Sequence, residues 1–124
     1  MTKSKLRQQL KAARKAHVAA LPENVLGLLF RQPPAPLGKL IPADAIIGFY
    51  RATPDEAPAS RYAAHFLEAG HRIALPRFAD RASAMGFASW SDPFGDSDLE
   101  PGPFGLLQPG ANAEPVVPDV LFVP

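Results

Sequence analysis

Apolar and polar positions in the first twenty residues recur at helical spacing. Leu6, Leu10, Ala13 and His17 are separated by four, three and four positions among residues that favour helices, which predicts a helix over 3–20 ended by Leu21-Pro22. At about 100° per residue, Lys3, Arg7, Lys11 and Arg14 fall within about 80° of one another, bordering the apolar stripe. Val25 to Phe30 is a second short apolar segment whose period does not separate helix from strand. Pro33-Pro34-Ala35-Pro36 places three prolines in four residues, which predicts an extended connector, since proline neither continues a helix nor joins a central strand.

The pattern changes at Ala45-Ile-Ile-Gly-Phe-Tyr50, a continuous apolar run that ends at Arg51 and the turn-forming Thr53-Pro54-Asp55. Such a run predicts a strand buried on both faces, in the middle of a parallel sheet. Residues 60–69 put Tyr62, Ala63, Phe66 and Leu67 on one helix face with Gly70 as the closing cap, and His71-Arg-Ile-Ala-Leu75 is a second strand. Strand, helix and strand within about thirty residues form a βαβ unit with parallel strands. Arg77 is then expected on the same rim as Glu56, as a ligand residue or in a structural salt bridge. Residues 85–90 predict a shorter strand near the sheet edge, 91–103 a Pro/Gly/Asp-rich loop, and 119–123 a buried strand. The architecture expected is a single domain over 1–124 of the α/β class. Its sheet is mostly parallel with helices on both faces, a three-layer α/β/α fold. Its C-terminal part is expected to be missing, because the sequence given stops where a ligand loop should begin.

Composition narrows the functional classes. An apolar fraction of 47% with 20% charged residues is that of a soluble globular chain, and no apolar run reaches the ~20 residues of a membrane helix. There is no cysteine, hence no disulfide or thiolate metal site, and the three histidines show no metal-ligand spacing. Asp92, Asp96, Asp98 and Glu100 lack the glycine and terminal glutamate of a calcium loop. The formal charge of +1 conceals a local excess: six cations precede the first acid, Glu23, and the remaining seven face twelve acids. That cationic stripe reads as a solvated face or as a site for an anionic ligand, since Arg forks onto phosphate or carboxylate. Nucleic acid is not expected as a partner, because no aromatics interleave with the cations. The acidic pair Asp55 and Glu56 stands where the loop leaving a parallel strand lines a ligand crevice.

Six stretches, in order, carry a resemblance: Lys3-Ser-Lys-Leu-Arg7, the strand leading to Asp55-Glu56, Gly70-His-Arg-Ile-Ala-Leu-Pro-Arg77, Met85-Gly-Phe87, Gly102-Pro-Phe-Gly-Leu-Leu-Gln-Pro109 and Pro118-Asp-Val-Leu-Phe-Val-Pro124. The chain resembles the first half, or slightly more, of the 5-formyltetrahydrofolate cyclo-ligases, also called methenyltetrahydrofolate synthetases. The resemblance implies ATP- and Mg2+-dependent conversion of 5-formyltetrahydrofolate to 5,10-methenyltetrahydrofolate, through phosphorylation of the formyl oxygen followed by ring closure. It implies that Lys3 and Arg7 bind ATP and that Glu56 and Arg51 bind the folate. No metal ligand is expected in this chain, and the catalytic residues are not assigned. Pro58, Ala59 and Gln108 depart from the family pattern. Its glycine-rich Tyr-Tyr-Asp-Arg type segment, which supplies a magnesium-binding Asp, would follow Pro124, so residues 1–124 alone are expected to be inactive. A cytoplasmic protein without nucleic-acid or membrane partners is expected, its oligomeric state open with the monomer favoured. Two other readings stay open: a non-catalytic folate- or nucleotide-binding protein, and a different α/β enzyme of phosphorylated substrates.

Overall fold

The computed structural model describes residues 2–124, the side chains of Glu23, Leu26 and Gly27 excepted. Its first element is the predicted helix, α1 (Lys3–Ala19), capped where the Thr2 hydroxyl accepts the Lys5 N–H at 3.2 Å. A short α2 (Glu23–Leu28) follows, then α3 (Ala35–Lys39). The expected proline connector is thus a helix start. Pro34 occupies the N-cap and Pro36 the first turn, where a missing N–H removes no helical bond and the fixed φ already suits the helix.

The predicted βαβ unit is present. Strands β1 (Ile47–Gly48) and β2 (Ile73–Arg77) pair in parallel, Ile47 opposite Ile73, with α4 (Tyr62–Glu68) between them in the chain. Hydrogen bonds carry β1 beyond its formal ends: Ile47 N–H donates to Arg72 O, Phe49 N–H to Ala74 O, and Phe122 N–H to Gly48 O. Gly70 closes α4 with φ +98°, a left-handed conformation that glycine takes without strain.

The remainder overturns the expected three-layer, mostly parallel fold. β3 (Gly86–Ser89) returns antiparallel to β2, β6 (Pro115–Val116) pairs antiparallel with β3, and β7 (Val120–Leu121) pairs parallel with the free side of β1. The order is β6-β3-β2-β1-β7, a mixed sheet, and β4 (Leu99–Pro101) with β5 (Leu107–Pro109) makes a separate two-stranded antiparallel sheet. A parallel return needs a crossover of a dozen or more residues, usually helical, and only 60–69 supplies one. Residues 78–85 are too few for a crossover, and 91–114 contain turns and a hairpin in place of a helix. A second helical layer therefore has no material among the described residues.

The core lies between α4 and the sheet, around Ile47, Phe49, Tyr62, Phe66, Ile73, Leu75 and Trp90. Phe122, following β7, stacks on Phe49 with ring centroids 5.1 Å apart and planes within 4°. Gly48 is required by close approach: a Cβ there would lie 2.7 Å from Leu121 Cδ2 and 3.0 Å from Phe87 Cε1. α1 contributes nothing to this core. No residue of it is buried, and only Val18, near its C-terminal end, is half-buried.

Candidate functional site

β1 delivers the chain into the loop 51–58, which forms one wall of a cavity of about 740 Å³. That volume lies in the range of ~300–1,000 Å³ typical of small-molecule sites. Arg51, Asp55 and Glu56 line it from the loop, and Arg14 and His17 from the last turns of α1. Its apolar surface comes from Val18, Leu21, Leu29 and Phe30. Phe30 has φ +59°, a left-handed backbone that costs a bulky L-residue about 1–2 kcal/mol, and its ring rests on Tyr62 at 5.1 Å.

Side chains close the loop on itself. Glu56 Oε1 accepts the Thr53 N–H at 2.9 Å, and the Tyr50 hydroxyl donates to the Ala57 carbonyl. Burial pushes the Tyr50 hydroxyl above its ordinary pKa and the nearby Glu56 carboxylate adds to the rise, against a backbone hydrogen bond at Ala59 that lowers it. One Glu56 oxygen is thereby spent on the loop. Arg51 is half-buried and pairs with Asp96 at 3.3 Å. It also borders a smaller hollow of about 60 Å³ between Phe78, Phe104 and Leu107, where the Phe78 and Phe104 rings meet edge to face at 4.9 Å.

Arg51 and Glu56 therefore share one cavity, whereas Lys3 and Arg7 are exposed and not among its lining residues. They stand on the same helix face as Arg14, about 16 and 10 Å further out along the axis at 1.5 Å per residue. Arg77 takes the structural alternative: Nε donates to Pro109 O at 3.1 Å and the guanidinium lies 3.5 Å from Glu100, tying the β4–β5 hairpin to the end of β2. Gln108 reinforces the tie, accepting from Phe78 N–H at 3.1 Å and donating to Phe78 O at 2.9 Å. His71 Nδ1 donates to Ala45 O at 2.9 Å and holds the start of β1.

Sequence reasoning missed Arg14 and His17 as cavity residues. The signal was there: both lie at the end of the helix that joins the body, and Arg14 falls within about 20° of Lys3. Among the described residues no group of three or more carboxylate or imidazole side chains is placed to hold a metal ion, and no helix is long and apolar enough to cross a membrane. Chemically, the cavity is lined by Arg14 from the helix and by Arg51, Asp55, Glu56 and Arg61 from the loop side, with apolar side chains among them. This suits a flat, partly apolar molecule bearing both hydrogen-bond donors and negative charge. Neither a protein-family model nor a curated protein matches the chain.

Proposed function

We propose that the chain binds a reduced folate in this cavity and serves the ATP-dependent conversion of 5-formyltetrahydrofolate to 5,10-methenyltetrahydrofolate, in a cytoplasmic setting. The observation that carries the reading is the meeting of Arg51 and Glu56, both singled out by the cyclo-ligase resemblance, on one wall of a cavity of about 740 Å³. A pterin ring offers N–H donors, which suits the Glu56 carboxylate, and the glutamyl carboxylates suit Arg51.

ATP would be held through the cationic face of α1 and would bring Mg2+ on its phosphates, since no group of described side chains is placed to hold the ion. Arg14 would take a phosphate oxygen at the cavity, and Arg7 and Lys3 would take those further out on the same face. When bound, ATP supplies the phosphoryl group that activates the formyl oxygen, and Mg2+ draws off phosphate charge. The chain's own residues bind and orient the substrate, and positioning with charge neutralisation is most of what phosphoryl transfer asks of a protein.

The test is calorimetric titration of the chain with 5-formyltetrahydrofolate and, separately, with MgATP. Glu56→Gln and Arg51→Ala should each weaken folate binding by about 1.5–3 kcal/mol, the range for a charge-assisted hydrogen bond, without a matching loss of thermal stability. Arg7→Ala should weaken MgATP binding more than Lys15→Ala. Absence of saturable folate binding, or an unchanged affinity in Glu56→Gln, would remove the reading. One observation favours a second reading, a non-catalytic folate binder: Lys3 and Arg7 lie outside the cavity wall. Folate binding that MgATP neither accompanies nor alters would select it.

A further inference from the structure

Arg51 stands where two hollows meet. It lines the large cavity together with Glu56, and alone among the described residues it also lines the small hollow walled by Phe78 and Phe104. Its charge is already answered from a third direction. Asp96 belongs to the 91–98 segment between β3 and β4 and lines neither hollow, yet its carboxylate lies 3.3 Å from Arg51 Nη2. That segment is folded on itself by other groups: the Ser91 N–H and hydroxyl donate to Asp98 at 2.8 and 2.9 Å, and the Ser97 hydroxyl donates to Asp92 at 2.7 Å. These bonds use the carboxylates of Asp92 and Asp98 and leave that of Asp96 to Arg51.

The pair is of a kind that parts easily. Its 3.3 Å separation exceeds the ~2.7–2.9 Å of a charge-assisted hydrogen bond, and the Asp96 side chain is 54% exposed, so it returns to water at little cost. Arg77 offers the contrast: it is fastened twice, to Pro109 O at 3.1 Å and to Glu100, and lines neither hollow. A ligand carboxylate whose remainder is held in the cavity can fork onto the Arg51 guanidinium in bidentate geometry, which outweighs a contact of charge alone. Two carboxylates brought to one guanidinium also repel each other, and the more hydrated one yields.

We propose that Asp96 is a placeholder: in the empty protein it occupies the guanidinium that an anionic group of the ligand takes on binding, so that ligand and the 91–98 segment compete for Arg51. The inference rests on the folate reading only for the identity of the ligand. Asp96 thereby sets affinity without touching the ligand, and holds it below what Arg51 alone would give. Binding unties the segment from the cavity loop, the reverse of a lid that closes. By linkage, whatever draws Asp96 away from Arg51 strengthens ligand binding by the same factor as the ligand weakens the Asp96 contact.

Calorimetric titration with 5-formyltetrahydrofolate gives the first measure. Asp96→Asn and Asp96→Ala should each tighten binding by about two- to fivefold, the range open to an exposed ion pair, and should change nothing in an Arg51→Ala background. Weaker binding in both variants would mean that Asp96 orients Arg51 for the ligand, and unchanged affinity would mean that the two do not compete; either result overturns the proposal. Glutarate, a bare dicarboxylate, tests the competition without the folate. Followed at the Arg51 Nε–H resonance of the 15N-labelled chain, it should bind Asp96→Asn more tightly than the unsubstituted protein by a similar factor. That difference without any folate binding would keep the placeholder and remove the folate reading. Equal glutarate affinity in the two proteins, or no binding to either, would overturn the placeholder whether or not folate binds.

Discussion

α1 and α4 are both amphipathic by sequence, yet α4 buries Tyr62, Ala63 and Phe66 against the sheet while α1, more than twice as long, buries nothing. The difference lies in what each stripe carries and what stands opposite it. α4 brings two large aromatic rings to strands that are apolar on both faces. α1 brings two leucines, an alanine and a histidine, and the body offers it only the cavity rim at Arg14, His17 and Val18. Helical period states that a segment has a face to bury and says nothing about whether a surface awaits it.

The sharpest way to break this comparison is a pair of truncations measured by urea unfolding. Phe66 is buried and packs within 6.5 Å of Phe49, Tyr62 and Phe122, so Phe66→Ala should cost about 3–5 kcal/mol. Leu10→Ala should cost within about 0.5 kcal/mol. Comparable losses would mean that α1 packs on the body. Gly48→Ala tests the packed side more finely: the new methyl meets the side chains of Leu121 at 2.7 Å, Phe87 at 3.0 Å and Pro118 at 3.1 Å, which must give, at about 1–3 kcal/mol. A neutral outcome would show that these side chains yield readily.

Tyr50 gives the packed unit a pH dependence. Its hydroxyl is held above the ordinary tyrosine value, so the neutral form is favoured by folding. The stabilisation is complete below the unfolded value near pH ~10 and is lost as pH rises through the folded value. Tyr50→Phe should lower stability by about 0.5–1.5 kcal/mol at neutral pH and shrink the alkaline loss, read as the difference between the two unfolding curves. Parallel curves would remove the hydroxyl's role in closing the loop. The smallest effect is expected at the N-terminus, where Thr2→Ala removes the cap of α1 and should reduce ellipticity with little change in the urea midpoint.

The β1–α4–β2 unit was legible because its signals are local: an apolar run, a helical period, a glycine stop, and a second run. The antiparallel direction of β3 and β6 was not, because it depends on connection length and on the absence of helix-forming segments between 78 and 114. α3 was misread by counting prolines without asking which helical positions tolerate them. Within the cavity, Glu56 was reachable because its loop follows the central strand, and Arg51 only through the family resemblance. Arg14 was visible only as a member of the stripe with Lys3 and Arg7, since periodicity places residues around a helix axis and leaves open how far along it the body reaches.

Because α1 leaves the body at Val18, its amides belong to two regimes of hydrogen exchange. Those before Val18 are protected only by the helix itself, which opens readily when unsupported, whereas amides of β1 and β2 exchange only through opening of the core. Protection across 6–17 is accordingly a native gauge: it stays low while α1 stands alone and rises with whatever comes to lie against it. The molecule thus carries its own reporter of association, readable without any label or substitution.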